Sequence, residues 1–298
     1  MSLGVDLVPL KTCALDCVFC QLGRTRTPIL ERREYVPARD IIKELADWYG
    51  NGGKADHVTI SGSGEPTLNT GFGDVIRFAV SQKRIPVLLL TSGVSLFIPE
   101  VRSDAAAADI VKASLSSWDE ASFRLVNRHA SGVGFSGYIN GMKAFRKDYK
   151  GRFILEVFLV HGMNDREEDV RKIAAIASGL LPHAVHLNTV ARPAADTGIM
   201  PVHEERMRIL AGLFNPPAEA VAGGETDSPA IGSPAGTGAG AILALVMRHP
   251  ATVAQIAITI GAGEESVRDM LASLETAGSV IRLDRDGETY FAASVRER

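Results

Sequence analysis

The chain has 298 residues, 46% of them hydrophobic and 22% charged, an ordinary soluble composition with enough apolar side chain for a sizeable core. Its 32 basic and 35 acidic residues leave a net charge of −3, with no charged tail and no sign of a polyanion partner. The three cysteines, Cys13, Cys17 and Cys20, crowd into one short segment, which excludes a disulfide framework and points to a metal or a reactive thiol in a reducing compartment.

The segment from Met1 to Asp6 lacks a positive stretch followed by a long apolar one. The longest apolar runs, such as 85–90, fall far short of the roughly 20 residues that a spanning helix needs. The expectation is a cytoplasmic protein without a membrane partner. Up to about residue 215, short β-branched or leucine-rich stretches alternate with amphipathic ones. Strands are predicted over 4–10, 57–61, 87–91, 110–115, 153–160 and 184–190. Helical spacing relates Ile41, Ile42, Leu45 and Trp48, then Val75, Ile76, Ala79 and Val80, then Val170, Ile173, Ala174 and Ala177. A further helix is predicted over 204–214. Six strands alternating with helices imply an α/β fold with a parallel sheet, either a partial (β/α)6 barrel or an open doubly wound sheet. Residues 216–239 are rich in Pro, Gly and Ala and read as a flexible linker, although 219–222 would suit a short strand. From 240 to 298, helices over 242–248, 253–260 and 264–277 precede strands over 280–283 and 289–292 around Asp286-Gly287, a hairpin turn signal. That is the order of a winged helix-turn-helix domain.

The cysteines form Cys-x3-Cys-x2-Cys directly after the first strand. Three thiolates on one loop can ligate three irons of a 4Fe–4S cluster and leave the fourth iron open to a ligand. A structural zinc site wants a fourth protein ligand, and none lies in the loop. A redox pair of Cys17 and Cys20 leaves Cys13 unexplained.

With Phe19 as the aromatic residue before the third cysteine, this motif resembles that of the radical S-adenosylmethionine (SAM) superfamily, and the resemblance extends over the first 200 or so residues. The segments 6–11, 20–25 and 61–67 resemble a subgroup often labelled Fe–S oxidoreductase, distantly similar to the tRNA wybutosine-synthesis radical SAM enzymes. The resemblance implies a partial barrel, a 4Fe–4S cluster held by Cys13, Cys17 and Cys20, and SAM as cofactor. It also implies an external one-electron reductant, reductive cleavage of SAM and hydrogen abstraction from an unidentified substrate. Gly64 and Glu65 match the family's Gly-Gly-Glu motif for the methionyl amino group, with Ser63 in place of the first glycine. Thr91-Ser92-Gly93 stands where relatives show Thr-Asn-Gly. Ser114 is the candidate for ribose contact and Asn188 for adenosine contact, and Glu156 on strand five and Phe19 are further cofactor-binding candidates. Structural alternatives are Ser114 bonding its own backbone and Glu156 in an ion pair; Asn164-Asp165, a polar pair beyond strand five, reads equally as an ordinary turn.

His183 and His186 straddle a loop–strand junction and read as structural. Arg24, Arg26, Arg32, Arg33 and Arg39 follow the cysteine loop and read either as a contact for an anionic substrate or as a solvated loop. All three cysteines are used, so this chain supplies no cysteine-ligated second cluster. Beyond residue 240, six basic side chains face eight acidic ones, and the proposed recognition helix carries Glu264, Glu265, Asp269 and Glu275 against Arg268. That charge favours contact with a protein or peptide and disfavours DNA binding. Two alternatives stay open: an enzyme that modifies tRNA or a nucleotide, and an iron–sulfur redox-sensing regulator acting through the winged helix.

Overall fold

The computed structural model describes residues 1–194, 196–220, 238–285 and 287–294. The strands β1 (Ser2–Asp6), β2 (His57–Ser61), β3 (Val87–Thr91), β4 (Ile110–Ser114), β5 (Arg152–Leu159), β6 (Ala184–Thr189) and β7 (Glu219–Ala220) form one sheet in that spatial order. Every neighbouring pair is parallel. A doubly wound sheet reverses its strand order at a switch point; here it never reverses. The chain therefore winds one way round a partial barrel, left open between β1 and β7 among the described residues.

The covering helices are α1 (Ala38–Gly50), α2 (Phe72–Ser81), α3 (Pro99–Ala105), α4 (Glu120–Val126), α5 (Phe135–Asp148), α6 (Glu167–Leu180) and α7 (Glu204–Ala211). In α1, Ala38, Ile41, Leu45 and Tyr49 are buried at a spacing of three or four residues, as a helix lying on a sheet requires. Alternation within the strands sorts the two faces. Val87, Leu89, Val111, Ala113, Val157 and Leu187 point outward under the helices and are fully buried. Lys112, Ser114, Glu156 and Asn188 fall on the half-buried inner face.

The sequence expectation departs from this in two places, and a third point it left open is settled. The first strand ends at Asp6 rather than Leu10: Asp6 Oδ1 accepts the Val8 N–H at 3.3 Å, which turns the chain out of the sheet. Leu7 and Val8 are buried, but in the loop, so their apolar character marks core and not strand. Helices α3, α4 and α5 are expected only as unspecified segments between strands, and two of them occupy the single crossover between β4 and β5. The short stretch near 219 does add a seventh strand, pairing Glu219 with His186 and Ala220 with Leu187.

After residues 221–237, where most of the predicted linker lies outside the described residues, a second group of elements has its own buried cluster. It comprises α8 (Ala239–Val246), β8 (Ala251–Thr252), α9 (Val253–Ile260), α10 (Glu264–Thr276), β9 (Val280–Arg285) and β10 (Glu288–Ala293). A capping box between Thr252 and Gln255 starts α9, and Gly261 at φ +67° ends it. The three strands pair antiparallel in the order β8-β10-β9. Asp286 of the predicted hairpin turn lies outside the described residues. Arg285 donates to the carbonyls of Arg192 at 2.6 Å and Val190 at 3.3 Å, against the rim of the barrel beyond β6.

Candidate active site

The cysteine loop leaves β1 and is tied down on two sides. On one, Lys11 N–H donates to Ser63 O at 2.7 Å and Glu65 N–H to Thr12 O at 2.9 Å, joining the loop to the turn after β2. On the other, Asp16 and Val18 donate to the carbonyls of Asn127 and Val126, and Ala130 donates to Ala14 O, joining it to the end of α4. Asp16, nearly buried, accepts from Thr25 N–H at 2.6 Å, Arg24 Nε at 2.8 Å and Arg128 Nη1 at 3.3 Å. Arg24 and Arg128 both reach on to Asp196, beyond β6. The loop is thus built into the barrel mouth and does not hang from it.

Each sulfur receives one N–H donor from a different source. Leu15 N–H points to Cys13 Sγ at 3.4 Å, Asn127 Nδ2 to Cys17 Sγ at 3.3 Å, and Lys11 Nζ to Cys20 Sγ at 3.5 Å. Lys11, at φ +66°, also donates to the Gly23 carbonyl. Burial, then the neighbouring Cys20, push the Cys17 thiol up to about 12. Burial, then the Glu65 charge, push Cys13 up further. Buried thiols of this kind ionise when cationic metal is at hand. Three soft ligands, each with an N–H aimed at its sulfur, fit an iron–sulfur cluster, whose ligands need such donors. Among the described residues no three His, Cys, Asp or Glu side chains gather closely enough for a single metal ion, so the zinc alternative finds no compact ligand set.

Two adjoining cavities, of about 410 and 510 Å³, open beside the cysteines at the carboxyl ends of the strands, within the size range of small-molecule sites. The first is bordered by Cys13, Cys17, Gly64, Glu65, Ser92 and Ser114. The second is bordered by Phe19, Cys20, Phe158 and Asn188. Lys112, Glu156 and Arg248 line both. All nine site residues expected from sequence therefore meet at one end of the barrel.

Their local roles differ from expectation in instructive ways. The Glu65 carboxylate, 2% exposed as a residue, accepts five donors. Oε1 takes Thr67 N–H, Thr67 Oγ1 and Thr91 Oγ1; Oε2 takes Ser92 N–H at 2.7 Å and Ser92 Oγ at 2.6 Å. It therefore locks the end of β2 to the end of β3. Ser92, which replaces the amide of the relatives, takes part in that lock. Gly64 is needed for packing: a Cβ there would stand 2.8 Å from the Thr12 carbonyl carbon and closer still to its oxygen. Ser114 accepts Tyr138 Oη through its carbonyl, and its side chain borders the cavity. Glu156 Oε1 accepts Asn188 Nδ2 at 2.8 Å and lies 3.4 Å from Lys112 Nζ, so the ion-pair alternative describes its contacts here. Phe19 stacks on Phe158 with centroids 4.1 Å apart.

The arginine group disperses. Arg24 pairs with Asp16, Arg32 donates to Thr67 O, Arg33 lies over Tyr35, and Arg39 reaches Asp40. His183 Nδ1 accepts Phe153 N–H and caps that strand. Burial, then Lys112, hold His186 below the usual imidazole range. Asn164 and Asp165 make the expected turn, with Asn164 Oδ1 accepting Val160 N–H. Sequence reading missed Lys11, Asn127, Lys112 and Arg248. Lys112 carried a signal, a charge alternating with apolar residues in a strand otherwise buried; Asn127, remote in sequence from Cys17, carried none.

A family model described as the radical SAM superfamily matches residues 7–174, more than half of the chain. The chain belongs to the radical SAM superfamily. It is a radical SAM enzyme by that membership, and the family implies SAM and a 4Fe–4S cluster. A UPF0026 protein of Methanocaldococcus jannaschii is 29% identical over 100% of this chain and 93% of its own length. A Brachyspira hyodysenteriae protein named GTPase Obg is 31% identical over 99% of this chain, which spans 43% of that protein. No Gly-x4-Gly-Lys-Ser/Thr phosphate loop occurs in the present sequence, so the nucleotide chemistry in that name is not carried over. Among solved structures, a radical SAM methyltransferase from Sphaerobacter thermophilus superposes with TM-score 0.55 at 16% identity, covering 74% of this chain and 65% of that one. Streptococcus suis SuiB bound to SAM superposes with TM-score 0.51 at 18% identity, covering 72% and 46%. At these identities the two structures bear on fold alone, and they agree with the open barrel. No helix among the described residues is long and apolar enough to cross a membrane.

Proposed function

We propose that this radical SAM enzyme holds a 4Fe–4S cluster through Cys13, Cys17 and Cys20 and binds SAM across the two adjoining cavities. The observation that carries the reading is the set of three cysteines, each with its own N–H donor, in the walls of the two adjoining cavities at the strand ends. Cys13, Cys17 and Cys20 would hold the cluster, and the bound group would supply the one-electron chemistry for reductive cleavage of SAM and hydrogen abstraction from a substrate. The residues of the chain prepare that chemistry. Gly64 and Glu65 fix the turn beside the methionyl end of SAM; Ser114, Glu156 and Asn188 offer polar atoms to its nucleoside. The Phe19–Phe158 stack forms an apolar wall of the second cavity.

In the same reading, 1–215 is the catalytic barrel, 216–239 a linker, and 240–298 a winged-helix module for protein contact. Its α10 exposes Glu264, Glu265 and Asp269, and Arg268 is tied to Glu264 at 2.6 Å, a surface that repels phosphate. The alternative of an RNA-modifying enzyme draws on the distant family similarity and on the Arg24–Arg39 group, of which Arg24, Arg32 and Arg39 have partners within the chain. The test is anaerobic reconstitution with iron and sulfide, followed by electron paramagnetic resonance (EPR) of the reduced protein with and without SAM. The reading expects about four irons per chain and a spectrum altered by SAM. A loaded cluster blind to SAM overturns it.

A further inference from the structure

The cavity of about 510 Å³ is unevenly charged. Lys112, Arg192 and Arg248 border it, against one carboxylate, Glu156. Glu156 is already engaged by Asn188 and Lys112 through the same oxygen. Arg248 comes from the turn after α8, in the C-terminal unit, yet it borders both cavities across from Gln21 and Lys112. Its backbone is fixed by Arg248 N–H to Leu245 O at 3.0 Å and by the proline two residues on. The Arg285 bonds to the Val190 and Arg192 carbonyls hold that unit on the same rim. The Arg248 side chain has no hydrogen bond or ion pair among the described residues. A guanidinium held at a cavity mouth without a carboxylate partner is a fork for an incoming carboxylate or phosphate.

Resting on the reading of these cavities as the active site, we propose that Arg248 of the C-terminal unit and Lys112 of β4 bind an anionic group, a carboxylate or phosphate, on the second substrate. Arg248 lies outside the segment 7–174 that the superfamily shares. It also comes from the C-terminal unit and not from a strand of the barrel, so we assign it to the second substrate and not to SAM. The C-terminal unit thereby contributes to specificity directly, through one side chain placed in the barrel mouth.

The test titrates inorganic phosphate into the full chain saturated with SAM, read by phosphorus NMR line broadening and by thermal shift. The proposal expects saturable binding that weakens about tenfold or more in Arg248→Gln. Arg248→Lys recovers part of it, and Arg268→Gln, on helix α10 and in the lining of neither cavity, leaves it unchanged. Arg248 is exposed, so its replacement leaves the fold intact by circular dichroism. A phosphate site that does not saturate, or one indifferent to Arg248→Gln, overturns the proposal. So does Arg248→Gln weakening SAM binding, which would assign the guanidinium to the SAM carboxylate. If SAM itself does not bind, the same titration runs without it, so failure of the radical SAM reading is seen separately.

Discussion

Replacing Gly64 by alanine tests whether the turn after β2 positions the cysteine loop. The added Cβ would meet the Thr12 carbonyl carbon at 2.8 Å and the Thr12 nitrogen at 3.1 Å. Both are backbone atoms, one residue before Cys13, so no side chain can swing aside. Relief requires the loop and the turn to separate, and that strains the two bonds across the seam, Lys11 N–H to Ser63 O and Glu65 N–H to Thr12 O. Overpacking of this kind costs about 1–3 kcal/mol, and each bond contributes about 1 kcal/mol. A local penalty of about 3 kcal/mol lowers the population of the closed loop about a hundredfold. Iron per chain after anaerobic reconstitution, with the melting temperature of the metal-free protein, reads the effect. Gly64→Ala should retain far less iron than wild type and melt lower. Gly50→Ala, with nothing within 4 Å of the added carbon, should match wild type in iron. Full iron and an unchanged melting temperature in Gly64→Ala would refute the idea that this contact positions the loop.

Three further substitutions address other links. Asn127→Ala removes the donor to Cys17 Sγ; an N–H aimed at a cluster sulfur stabilises the more negative, reduced state, so the midpoint potential should fall in an EPR-monitored redox titration, and an unmoved potential would assign Asn127 a purely structural role. Glu65→Ala strands donors from Thr67, Thr91 and Ser92 and should destabilise the chain by about 3 kcal/mol in urea, with Glu65→Gln milder; equal loss in both would show that the number of donors is not what matters. Asp196, held below the usual carboxylate range by Arg128 and its own hydrogen bonds, contributes stability that is present above the ordinary carboxylate pKa and is lost as pH falls through its depressed one. The stability gap between wild type and Asp196→Asn should therefore be about 1 kcal/mol at neutral pH and close below about pH 4; a gap that persists in acid contradicts the ion-pair account.

Much of this architecture is legible in the sequence because apolar alternation and length identify a parallel strand without tertiary information. The segments 57–61 and 87–91 coincide with β2 and β3, and Thr252, an N-cap residue type before an apolar run, announces α9. Helix α5 is harder to see. Its buried face, Tyr138, Ile139, Met142 and Phe145, is interrupted by Gly141, and the exposed side carries a second glycine, Gly137. Gly141 is there because a Cβ would strike the backbone of Leu96 and Phe97, a requirement set by a neighbour far away in sequence. The same holds at the site. Clustered cysteines and the Gly64-Glu65 turn are local patterns and can be read. The donor on Cys17 comes from Asn127, and the cation at the cavity mouth from Arg248; only the closed fold brings them there. Glu65 illustrates a third case, in which the residue is legible and its contacts are not. The motif suggests a ligand for an amine, while the structure supplies five internal donors to its carboxylate.

The most direct test of the account is anaerobic incubation of the reconstituted enzyme with dithionite and SAM, with 5′-deoxyadenosine quantified by chromatography. Wild type should form it. Cys13→Ser, Cys17→Ser and Cys20→Ser should each form none while keeping the far-ultraviolet circular dichroism of the fold. A fully loaded wild-type cluster that yields no 5′-deoxyadenosine, or a cysteine variant that yields as much as wild type, would contradict the assignment.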